Sequence, residues 1–108
     1  MSRDIRESDW RLLRAVHPVA LDRFCGRILG EITKVIGDAR KSPHQKYLEV
    51  YRLIERRDQE VAEAFNDMRR STAFIRICSL RRLGLLTDEE FAGFSEGMRS
   101  AVEAFVAP

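Results

Sequence analysis

Apolar residues recur at intervals of three and four along most of this chain, and that spacing constrains its fold more than any other feature. From Val19 to Ile36 the row is Leu21, Phe24, Cys25, Ile28, Leu29, Ile32, Val35 and Ile36. A second row, Tyr47, Tyr51, Ile54, Asp58, Val61 and Phe65, is widened by Leu48, Val50, Leu53, Ala62 and Ala64. Between Met68 and Leu83 the apolar residues Ala73, Phe74, Ile75, Ile77, Cys78, Leu80 and Leu83 leave few polar positions. A period near 3.6 places each row on one side of a helix, whereas a strand would alternate. The expected fold is all-α, a single up-and-down bundle of four to six helices spanning residues 1–108, with its main faces on the Val19, Tyr47 and Met68 helices. With 108 residues, six Gly and three Pro, there is chain for one domain and no low-complexity architecture.

Local chemistry supplies the boundaries. Trp10, Leu12, Leu13 and Val16 form a first apolar patch, with Ser8 or Asp9 as its cap, and Pro18 suits the first turn of a new helix. Gly37 and Asp38 end that helix. In Ser42-Pro43-His44-Gln45, Ser42 is placed to cap, Pro43 to occupy the first helical position and Gln45 to return the capping hydrogen bond. Asn66-Asp67 breaks the second row and is a cap for the third. In the run from Leu83 to Phe91, Gly84 closes a helix, Thr87 and Glu90 form a capping box, and Leu86 and Phe91 are spaced as a staple. A short helix to Phe94 and a last one from Ser95-Glu96 through Val102, Phe105 and Val106 complete the chain.

Several function classes lack their residues. The longest stretch without a charge, Ala15 to Leu21, is far short of the roughly twenty residues that cross a bilayer. The first ten residues carry Arg3, Asp4, Arg6, Glu7 and Asp9, which does not fit a secretory signal and predicts a cytoplasmic protein. Cys25 and Cys78 lack the paired spacing of zinc or disulfide frameworks and are expected as buried free thiols. A di-iron bundle needs Glu three positions before each His, and Arg14 and Lys41 stand there before His17 and His44. His17 is expected to flank the helix starting at Pro18, and His44 to be solvated. With no Gly-rich phosphate loop and no nucleophile elbow, the expectation is no enzyme, no metal site and no cofactor.

Two anomalies remain. Asp58 interrupts an apolar row, and a buried carboxylate must be paired or protonated. The expectation is a structural buried charge, paired with an arginine of the central helix or the Val19–Ile36 helix; a partly exposed Asp58 and a ligand role are the alternatives. The second is Arg69-Arg70-Ser71-Thr72. If Asp67 caps the central helix, two arginines occupy its first turn, against the helix dipole. Free amides, two hydroxyls and two guanidiniums make these four residues an anion-binding candidate for a phosphate or carboxylate. The competing account pairs both arginines with Glu60, Glu63 or Asp67. Charge favours such pairing, because the chain alternates in blocks. Residues 58–68 hold four acids and no base, and residues 69–82 hold five arginines and no acid.

The stretch from Leu80 to Phe94, a leucine-rich helix, Gly, two apolar residues, Thr, acids and Phe, resembles the short helix-turn-helix segment of SHOCT-type modules, which implies oligomerisation. Trp10-Arg11-Leu12, Arg23-Phe24-Cys25 and Arg69-Arg70-Ser71-Thr72-Ala73 resemble parts of a small uncharacterised bacterial all-helical family, and that resemblance brings no activity. The leading expectation is a non-catalytic module for self-association or docking of another protein, since Trp10, Tyr47, Tyr51, Phe94 and Phe105 exceed what a small bundle easily hides. The alternative is nucleic-acid or phosphorylated-ligand binding through Arg69, Arg70, Arg76, Arg81 and Arg82 of the central helix.

Overall fold

Proline lacks the N–H that would bond back four residues, yet Pro18 does not break the first helix. In the computed structural model, which describes residues 5–107 and leaves Arg3 and Asp4 of the charged start outside, α1 runs unbroken as Glu7–Ile36, 30 residues. An interior proline costs about 3 kcal/mol. Burial of Leu13 and Val16 before it and of Ala20 and Phe24 after it offsets that cost, at roughly 1.5–3 kcal/mol for each large side chain. The two helices expected around Pro18 are therefore one, and Ser8 and Asp9 lie inside its first turn. Arg6 stands at the N-cap without a side-chain bond.

The helix α2, Pro43–Phe65, starts as its residues predict: the Gln45 N–H donates to Ser42 Oγ at 3.2 Å, and the Ser42 N–H to Gln45 Oε1 at 2.8 Å. The next boundary differs. Asp67 has φ +63°, a left-handed turn that Asp tolerates, and Thr72 Oγ1 closes it by donating to the Asp67 carbonyl at 2.6 Å. Arg70–Thr72 form a 3₁₀ turn, so the central helix α3 is only Ala73–Arg82. Its end is a Schellman motif in which Leu85 donates to the Leu80 carbonyl and Gly84, at φ +69°, to that of Arg81. Then α4, Asp88–Ala92, opens with the Thr87–Glu90 capping box, and α5, Glu96–Val106, with Ser95 as its cap.

The described residues are all-α, with no strand, and the helices run up and down around one core. Leu13, Ile77, Leu80, Leu85 and Val102 are fully buried where the first half of α1 meets α3 and α5. Phe94, expected at the surface, is buried there, and Trp10 is half-buried. The molecule is elongated, 53 × 27 × 25 Å, with a radius of gyration of 16.9 Å against about 13 Å for a compact chain of this length. The excess comes from the second half of α1 and the first two-thirds of α2, which project as an arm.

Candidate functional site

The arm is a two-helix hairpin with little interior of its own. Between residues 25 and 63 only Leu53 is buried. On one side the large apolar side chains are bare: Tyr47 is 68% exposed and Leu29 62%, and Ile36, Tyr51 and Ile54 are also exposed. Leu29 and Ile36 are seven residues apart and share a side of α1. At the tip, Ile36 joins Pro43, Tyr47, Val50, Tyr51 and Ile54 in an open groove of about 490 Å³, with Lys46 as its single charged residue. The row read from Tyr47 to Phe65 is thus real but only partly covered. Phe65 lies against His17 and Phe24 of α1, with ring centroids 5.1 and 6.3 Å away. Tyr47, Tyr51 and Ile54 have no such cover.

A second groove, of about 700 Å³, is polar and lined by Glu31, Lys34, Lys41, Glu49, Arg52 and Arg56 over Val35 and Leu53. Ion pairs run along the arm, one of them joining its two helices. Arg57 holds Glu31 with two bonds of 2.9 Å and Glu60 at 3.0 Å, and Lys41 holds Glu49. The Arg57 guanidinium keeps the Glu31 carboxyl below its ordinary range, and both acids raise the pKa of Arg57. Such pairs at the surface contribute at most about 1 kcal/mol each, so the arm's apolar side is its distinguishing property.

Comparisons of the chain with family models, curated proteins and solved structures find no match. Among the described residues no three His, Cys, Asp or Glu side chains gather where a metal could be held, and no helix is long and apolar enough to cross a membrane.

The expected site residues are dispersed. Asp58 is exposed, with no ion-pair partner among the described residues, which corrects the reading of it as a buried structural charge. The apolar row passes through water at that point because nothing packs over the arm. Of the anion-binding candidate, Arg69 Nε lies 2.6 Å from Asp67 Oδ1, and Arg70 Nη1 lies 2.8 Å from Glu7 Oε1 with its guanidinium over the Trp10 ring at 5.3 Å. Ser71 is exposed and the Thr72 hydroxyl is used inside its own turn. The two arginines precede α3 rather than forming its first turn, so the supposed conflict with the helix dipole does not arise.

The other arginines of that segment also have internal roles. Arg76 donates to the Glu63 and Asn66 carbonyls at the end of α2; Arg81 reaches Asp88 at 3.5 Å and lies 4.1 Å from the Phe91 ring; Arg82 lies over Phe105 at 5.8 Å. Both cysteines are free, but only Cys78 is buried, and burial pushes its thiol pKa up; Cys25 is exposed on the arm. His44 is exposed as expected. His17 sits mid-helix against Phe65 instead of flanking a helix start, and burial lowers its pKa.

Two constellations were not read from the residues. Asp9, 2% exposed, is the buried charged residue among the described residues: its carboxylate accepts from the Ser95 N–H at 2.7 Å and the Ser95 hydroxyl at 2.6 Å, tying the start of α1 to the start of α5. Arg23 grips Glu90 through two bonds of 2.6 and 2.8 Å and also donates to the Leu85 carbonyl, pinning the turn before α4 onto α1. Arg23 holds the Glu90 carboxyl at about 2. No local signal marks either pair, since the partners are 86 and 67 positions apart.

Proposed function

We propose that this chain is a non-catalytic interaction module whose working surface is the apolar side of the arm. One observation carries the reading: five large apolar side chains lie bare on a projecting hairpin that has a single buried residue. Contiguous exposed apolar surface is retained mainly where another molecule covers it. The arm is one layer of helices, and a layer is stable when a second layer closes over it. Cytoplasmic location and bacterial origin belong to the same proposal. Binding of nucleic acid or a phosphorylated ligand through Arg69, Arg70, Arg76, Arg81 and Arg82 has less support, because each of these side chains already meets an acid, a carbonyl or a ring.

Photo-crosslinking in living cells tests the reading. A benzophenone side chain placed at Tyr47, on the apolar side, is expected to form protein adducts, and the same group at Arg52, on the polar side, to form few. Adducts from neither position, or equal yields from both, would show that the apolar side docks nothing.

A further inference from the structure

We infer that the molecule covering the apolar side of the arm is a second copy of this chain, laid antiparallel about a two-fold axis close to Tyr51. The inference rests on the reading of the arm as a docking surface and adds the partner and its orientation. The exposed part of the α2 row, Tyr47, Tyr51 and Ile54, is short and symmetric about its middle. A two-fold there places Tyr47 of one copy over Ile54 of the other and the two Tyr51 rings beside each other, apolar against apolar, and every contact occurs twice. Two hairpins stacked in this way form a four-helix layer pair, the arrangement a lone hairpin lacks.

Charge selects the orientation. Asp58 is the one ionised residue in the row, 11 positions after Tyr47, and it has no ion-pair partner within the described residues. In a parallel pair Asp58 would face Asp58 of the other copy, and like charges on facing helices repel. In the antiparallel pair it falls at the start of the other copy's α2, beside Lys46. Lys46 borders the same groove and likewise has no ion-pair partner among the described residues. The start of a helix also carries a positive dipole end. The interruption of the row thereby acquires a role, since an aspartate at this position disfavours parallel pairing. The five exposed side chains, each about half or more exposed, supply the apolar centre of such an interface, which needs roughly 800 Å² per partner to be stable.

The experiment uses the purified full chain with Cys25→Ser, in which the remaining thiol, Cys78, is buried. Light scattering across concentration is expected to show a dimer. Tyr47→Cys and Ile54→Cys proteins are then oxidised separately and as a mixture, and mixed disulfides are expected to exceed same-residue disulfides severalfold. Asp58→Lys is expected to weaken the dimer by about tenfold, and Lys46→Glu in the same chain to restore it. A predominance of same-residue disulfides, or no rescue by Lys46→Glu, would overturn the antiparallel arrangement. A monomer at every concentration would overturn the second copy as partner. In that case crosslinking from Tyr47 to other proteins in cells would still uphold the module, whereas its absence would remove both.

Discussion

Asp9 sits at a position where sequence composition gives no warning and where both carboxylate oxygens are used. Its carboxylate satisfies both the backbone N–H and the hydroxyl of Ser95 in a buried corner. Asp9→Ala leaves those donors without partners, and the expected cost is about 2–3 kcal/mol, read as a lowered denaturant midpoint. Glu90 adds a pH dependence. Arg23, then the capping bonds to Thr87, lower its pKa from 4.5 to about 2. A carboxylate depressed in this way stabilises the fold above its unfolded value, and the contribution is lost as pH falls from near 4.5 through 2. Both partners are partly exposed, so solvent screening reduces that contribution. Glu90→Gln keeps a side-chain acceptor for the cap but not the charge. Denaturation curves between pH 5 and 2 are expected to be flatter for Glu90→Gln than for the parent, and parallel curves would show that Arg23 and Glu90 do not pair in solution.

At the scale of elements, the helix starts obey short-range chemistry. Ser42 with Gln45 and Thr87 with Glu90 form both bonds of a capping box, and Gly84 takes the left-handed conformation that ends α3. Thr87→Ala removes the cap of a helix only five residues long. The expected loss is about 1 kcal/mol, measured by chemical denaturation, and an unchanged midpoint would contradict the role of this turn. Pro18 and Asp67 escape such rules for opposite reasons. Pro18 fits a helix start as well as a costly interior position, and burial on both sides selects the interior. Asp67 suits a helix cap, but its positive φ starts a turn closed by the Thr72 hydroxyl five residues on, which moves the start of α3 to Ala73.

At the scale of the molecule, the contrast lies between a body whose core is closed and an arm whose core is open. Amide exchange of the isolated chain is expected to be faster in residues 25–60 than in α3 and the first half of α1, because few buried contacts oppose local opening there. If copies associate, arm protection rises with protein concentration while body protection stays constant, and concentration-independent exchange in the arm would argue against association through it. Residue order alone suffices for the all-α class, the extent of α2, its capping box and the turn from Gly84 to Glu90, because helix periodicity and capping depend on residues within four or five positions of one another. It also placed Tyr47, Tyr51, Ile54 and Phe65 on one row. Packing settles that Phe65 lies against His17 and Phe24 while the other three stay in water, that Asp58 is exposed, and that Asp9 is the buried charged residue among the described residues. Those outcomes depend on which segments, roughly 40 to 90 positions apart, come to lie over a given face, and periodicity records that a face is apolar without recording what covers it.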